Sequence, residues 1–274
     1  GWSATEGAIL TVTPGPPAPE LLRFSTLGGG SANPVPTVPA PWDDADIYLW
    51  DNAAATFSRI FDARGGIPNY FVPSNADIDG LVFDPNAGPA GGLYYVSFNL
   101  NEGTNLPGLG VVQDEDIVTF DMEDNQWELW LAGADICGGL DASNTQDIDA
   151  LHVVNGTVYF STLGDASVPD VAGPYDDADI YSYVEGTGGC SRVFDASAVG
   201  LPANADIDGL TYIDVDTFYV SFNLDAGTNV PGLGTVQDES VVLYNAGAWW
   251  PYFDGTAQGL GATNGQDLDA IDAQ

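Results

Sequence analysis

The sequence predicts an all-β fold, a four-bladed β-propeller whose blades alternate in type as A-B-A-B. Three observations predict it. The heptapeptide Asn75-Ala76-Asp77-Ile78-Asp79-Gly80-Leu81 recurs letter for letter from Asn204 to Leu210, and looser copies stand at Gln146 to Leu151 and Gln266 to Ile271. The lead aspartates lie 70, 59 and 61 residues apart, as in a supersecondary unit repeated around a ring. Each interval also divides into short runs rich in Val, Ile, Tyr and Phe, bounded by Gly, Asn, Asp and Pro, the pattern of a four-stranded blade. Finally, one unit is split between the termini. Leu22-Arg23-Phe24-Ser25-Thr26-Leu27-Gly28 matches Val158 to Gly164, whereas its first strand, 267–271, lies at the far end of the chain. A ring closes when those two segments pair.

Taken in order, residues 1–20 stand outside the repeat: Ala8 to Val12 reads as a lone strand, and Thr13 to Glu20 as an extended Pro-rich linker. No leader is recognisable, and Gly1 reads as the start of a mature form. The propeller occupies 21–274, with blades at about 77–140, 147–201, 206–260, and 267–274 plus 21–67. In the second unit, strand one is Ile148 to Val154, followed by the hairpin turn Asn155-Gly156. Strand two is Thr157 to Thr162, strand three Asp179 to Val184 and strand four Ser191 to Phe194. The first and third units share Val-Ser-Phe-Asn-Leu and the long loops 103–110 and 227–234; the second and fourth share Phe-Ser-Thr-Leu-Gly and Asp-Asp-Ala-Asp-Ile-Tyr. No helical period is sustained anywhere.

Forty acidic residues face four arginines and no lysine, for a formal charge of −36. That balance excludes nucleic acid and anionic membranes as partners, since both need clustered cations. No run of apolar residues is long enough to span a membrane as a helix. Of the acids 32 are Asp and eight Glu, many at fixed places in the repeat. Metal loops and turns select Asp in this way, whereas a halophile's solvated surface does not; the two explanations can coexist. Cys137 and Cys190 fit an oxidising compartment. Their predicted positions at opposite ends of neighbouring blades argue against a bond, and their number argues for one.

The acids form two series. Pairs opening strand one are Asp77/Asp79, Asp147/Asp149, Asp206/Asp208 and Asp267/Asp269. Pairs preceding strand three are Asp44/Asp46, Asp114/Asp116 and Asp177/Asp179, with Asp238 in the third unit, where Ser240 replaces the last acid. Blade topology places both series on one rim. Calcium (Ca2+) suits them, because it takes six to eight oxygen ligands in irregular loops, whereas zinc and copper favour His and Cys. The expectation is several calcium ions, one per blade, each held by a strand-one pair together with the pair before strand three. Asx-turn capping is the competing role for these aspartates. His152 reads as a structural histidine, and Trp127, Trp130, Trp249 and Trp250 as packing between blades.

The succession Asp-Ala-Leu, Gly turn, Val-Tyr-Phe-Ser, Asp-Ile-Tyr and back to Asp-x-Asp resembles the hemopexin-type four-bladed propeller. The resemblance implies four blades and an ion on the central channel. That family's basic and Trp-Arg features are missing, so its partners are not implied. No nucleophile–base set or phosphate loop is visible, and the acids repeat in every blade, so no enzyme is expected. The expected function is a secreted, calcium-binding structural or adhesive module. Its Ala8–Val12 strand would either add to a second copy of the chain and build filaments or fold back on its own outer edge. A calcium-dependent carbohydrate-binding module, with glycans as partners, is the alternative.

Overall fold

The computed structural model describes residues 20–27, 35–65, 72–73, 76–88, 92–99, 103–140, 146–165, 167–223, 226–261 and 266–274. The expected extension, including the Ala8–Val12 strand, lies outside them but for Glu20.

Among the described residues twenty strands follow in order: β1 (Leu21–Leu27), β2 (Ile47–Asp51), β3 (Thr56–Phe61), β4 (Ile78–Asp84), β5 (Leu93–Phe98), β6 (Thr104–Leu106), β7 (Gly110–Val112), β8 (Ile117–Asp121), β9 (Gln126–Leu131), β10 (Ile148–Val154), β11 (Thr157–Thr162), β12 (Ile180–Val184), β13 (Cys190–Phe194), β14 (Ile207–Asp214), β15 (Thr217–Phe222), β16 (Thr228–Val230), β17 (Gly234–Val236), β18 (Val241–Asn245), β19 (Ala248–Phe253) and β20 (Asp267–Ala273). Sixteen of them form four antiparallel four-stranded sheets, β4-β5-β8-β9, β10-β11-β12-β13, β14-β15-β18-β19 and β20-β1-β2-β3, here the first to fourth blades. The chain is an all-β, four-bladed propeller. The fourth blade joins the termini, with Phe24 opposite Ile271 and Leu27 opposite Asp267.

Each blade's first strand packs against the first strands of both neighbours, which closes the ring around a central axis. The core consists of four apolar clusters, each between two adjacent blades. Ile180 and Phe194 of the second blade meet Leu210, Phe218 and Trp249 of the third; Ile47 and Phe61 of the fourth meet Leu81, Phe120 and Trp127 of the first. Trp127 and Trp249 therefore pack between blades, as their repeat positions predict.

One feature differs from the sequence reading, and another decides a point that the sequence left open. The long loops of the first and third blades each fold into a small hairpin, β6-β7 and β16-β17, because a Gly-rich turn separates two short β-prone runs. Cys137 and Cys190 form a disulfide, with Cα atoms 4.9 Å apart. The 3-10 turn Gly133–Gly138 after β9 carries Cys137 to the turn that opens β13, where Gly138 lies against Gly188. That excursion removes the objection that the two cysteines belong to opposite ends.

Candidate metal centre

The strand-one acids owe their positions to a β-bulge. In all four blades the pairing between the first two strands skips one residue: Ile78 faces Phe98 and Gly80 faces Ser97, leaving Asp79 unpaired. Asp149, Asp208 and Asp269 are skipped in the same way. A bulge leaves its extra residue outside the ladder and re-aims its side chain. Here the isoleucine or leucine before it fills the core, and the aspartate turns to the axis. Asp79, Asp149, Asp208 and Asp269 are 0–3% exposed and act electrostatically on one another from blade to blade. Neither carboxylate oxygen of Asp79 or Asp208 receives a hydrogen bond. Burial, reinforced by neighbouring carboxylates, holds all four well above the usual carboxylate pKa.

The other acids gather at the junctions between blades. Backbone N–H groups of Ile78, Ile148, Ile207 and Leu268 donate to the carbonyls of Asp44, Asp114, Asp177 and Asp238, each on the preceding blade. Each junction thus unites three acids: Asp79, Asp114 and Asp147; Asp149, Asp177 and Asp206; Asp208, Asp238 and Asp267; and Asp269, Asp44 and Asp77. The expected grouping of both pairs within one blade is therefore redrawn, because the lead aspartate of a blade meets its predecessor. Carboxylate oxygens of Asp77, Asp79 and Asp269 lie within 4.8 Å of one another. Two oxygens on one calcium ion are separated by at most about 5 Å, so this trio fits a single ion. At such a spacing two full charges repel by on the order of 3 kcal/mol at a surface-like dielectric. Asp77 and Asp177 are pushed up to about 7 by burial, and Asp147 and Asp206 to about 6.

Asp46, Asp116 and Asp179 stand apart from this group. Asp46 accepts from the N–H of Ala63 at 2.9 Å and from Arg59 at 3.0 Å; Asp179 accepts from Ala196 at 3.0 Å and from Arg192 at 2.9 Å. Asp116 accepts from Gly133 and Gln113, both at 2.9 Å. Both oxygens of each are occupied by protein donors that pin the loop leaving strand four, which is the capping role rather than the ligand role. His152 is largely buried, and burial lowers its pKa to about 4, so it is neutral at physiological pH.

The sequence reading missed Glu115 and Glu239, which are 5% and 0% exposed. Their signal was an internal contrast. Asp-Glu-Asp at 114–116 and Asp-Glu-Ser at 238–240 occupy the place of Asp-Ala-Asp at 44–46 and 177–179.

No family model matches the chain, and no curated protein does. Among solved structures it is similar to the extracellular domain of the one-component system BT4673 from B. thetaiotaomicron, at 12% identity and a TM-score of 0.31, over 79% of this chain and 28% of that one. It is also similar to YCF48 bound to D1 peptide, at 7% identity and a TM-score of 0.33, over 84% and 57% of the two chains. A third is YjhT, at 12% and 0.31, over 85% and 68%. The chain thus spans less than a third of the first of these, and likeness at this level bears on neither family nor function. Four blades are shared with the hemopexin-type propeller, and no comparison places the chain in that family.

Proposed function

We propose that this chain is an extracellular calcium-loaded propeller that serves as a structural or adhesive module and performs no catalysis. The observation that carries the reading is the axial ring of bulged aspartates, whose buried oxygens at Asp79 and Asp208 have no donor from the protein. The available donors are carboxylate and carbonyl oxygens, which suit a hard cation of flexible geometry. The Cys137–Cys190 disulfide supports an oxidising compartment. Among the described residues, no helix is long and apolar enough to cross a membrane. Residues 1–20 stand outside the sequence repeat, and in this reading Ala8–Val12 pairs with an exposed strand of another copy. Filament growth would then be lost on deleting residues 1–19, as read by electron microscopy.

The calcium reading is tested by thermal melts followed by circular dichroism, in millimolar calcium and in excess EGTA at fixed salt. A ligand at a thousand times its Kd adds roughly 4 kcal/mol per site, so calcium should raise Tm by on the order of ten degrees per site. A midpoint unchanged by EGTA and raised only by molar salt would overturn the reading in favour of a halophile's acidic surface.

A further inference from the structure

The two blade types obtain positive charge differently. All four arginines and the single histidine belong to the second and fourth blades, and residues 77–140 and 206–260 contain no Arg, Lys or His. Arg59 and Arg192 stand opposite Tyr48 and Tyr181 in their sheets. The matching positions, opposite Val118 and Val242, are Leu129 and Pro251. The first and third blades nevertheless bury one acid more at the rim, Glu115 or Glu239, where the others have Ala178 and Ala45.

Each extra glutamate occupies a prepared space. A Cβ at Gly133 would lie 1.8 Å from Cγ of Glu115, and one at Gly255 would lie 2.7 Å from Cγ of Glu239 and 2.0 Å from its carbonyl oxygen. The equivalent residues of the second and fourth blades are Ala196 and Ala63, so glutamate goes with glycine and alanine with alanine. The Glu115 carboxyl meets that of Asp114, which in turn meets Asp147 across the junction. The Glu239 carboxyl meets that of Asp238, and its Oε1 accepts from the Thr256 hydroxyl. Oε2 of Glu115, Oε2 of Glu239 and both oxygens of Asp147 are buried and receive no hydrogen bond.

We propose that the first-to-second and third-to-fourth junctions are two further calcium sites, held by Asp114, Glu115 and Asp147 and by Asp238, Glu239 and Asp267. The inference rests on the reading that the rim carries calcium, and it adds sites that the other two junctions lack. Those junctions have Ala45 and Ala178 in place of the glutamates, and the acids that replace Gln113 and Gln237 there meet protein donors: Arg64 pairs with Asp43, and the N–H of Ala178 bonds to Asp176. Oxygen-only ligands drawn from two blades favour calcium over magnesium, which demands near-ideal octahedral geometry. The ring is therefore fourfold in fold and twofold in ion content.

Calcium titration of the full chain by isothermal calorimetry, with equilibrium dialysis for stoichiometry, tests this on wild type, E115Q/E239Q and D149N/D269N. The expected result is two fewer calcium ions per chain in E115Q/E239Q, with its remaining sites unchanged. D149N/D269N, which removes the two axial aspartates that belong to the other junctions, should retain those two ions while losing axial binding. Should E115Q/E239Q bind as many ions as wild type, each Asp–Glu pair shares a proton instead and the proposal is overturned, while the axial reading stands. A wild type that takes up no calcium overturns both. Glutamine has the shape of a protonated glutamate; if the double variant nonetheless fails to fold, the single variants, each expected to lose one ion, decide the question.

Discussion

At the scale of single residues, the axial aspartates have opposite effects with and without a cation. Asp208 is fully buried, and neither of its oxygens has a donor. Asp208→Asn removes that charge and supplies an amide that can donate to the surrounding carboxylates. In EGTA the variant should be more stable than wild type by about 1–3 kcal/mol, and in calcium less stable, as read by paired thermal melts. The pH dependence has a definite sign. The raised values at Asp77, Asp177, Asp147 and Asp206 mean that the folded, calcium-free protein holds protons the unfolded chain releases. Its stability is greatest below the unfolded carboxylate range and is lost as pH rises through about 6 to 7. Melts in EGTA should therefore fall between pH 5 and pH 8, and calcium should flatten or reverse that trend because it binds the ionised form. The Asp-x-Asp motif was legible as acid on a rim. Which oxygens lacked donors was not, because the arginines and loop amides that satisfy Asp46 and Asp179 are 13 and 17 residues away.

At the scale of elements, the bulge in each first strand links packing to the site. It lets the residue after the bulged aspartate tuck against the neighbouring blade. A Cβ at Gly209 would lie 2.5 Å from the Ser221 hydroxyl and 3.1 Å from Ile271 of the fourth blade, and one at Gly80 would lie 2.4 Å from Cβ of Leu151. Gly209→Ala should therefore cost about 1–3 kcal/mol through overpacking, measured by urea denaturation, and should weaken calcium binding by displacing Asp208. The sequence identified the strands of the second blade almost to the residue, because alternating apolar positions and Asn155-Gly156 mark them. It concealed the bulge, since a strand with one extra residue has the same composition as one without.

At the scale of the molecule, the ring is held shut where the termini meet. Arg23 of β1 pairs with Asp272 of β20 at 2.9 Å, both buried, and its guanidinium lies 4.3 Å from the centre of the Phe83 ring of the first blade. One side chain thus ties the fourth blade together and presses it against the first. Arg23→Ala leaves Asp272 buried without its counter-charge and should cost about 3–5 kcal/mol, read as a lowered denaturation midpoint. The Cys137–Cys190 bond joins the first blade to the second, so only one of these two fastenings is covalent.

The sequence by itself determined the number of blades, their alternation, the closure of the ring by the C-terminal strand and the crowding of aspartate on one rim. Each follows from local periodicity and from repeats that remain visible along the chain. Tertiary structure decided which acids meet. A carboxylate's partners are set by the bulge that aims it and by the neighbouring blade that receives it, and those distances depend on closure of the ring. The same physics separates Asp46, Asp116 and Asp179, satisfied by nearby donors, from Asp79 and Asp208, whose oxygens face one another's charge on the axis.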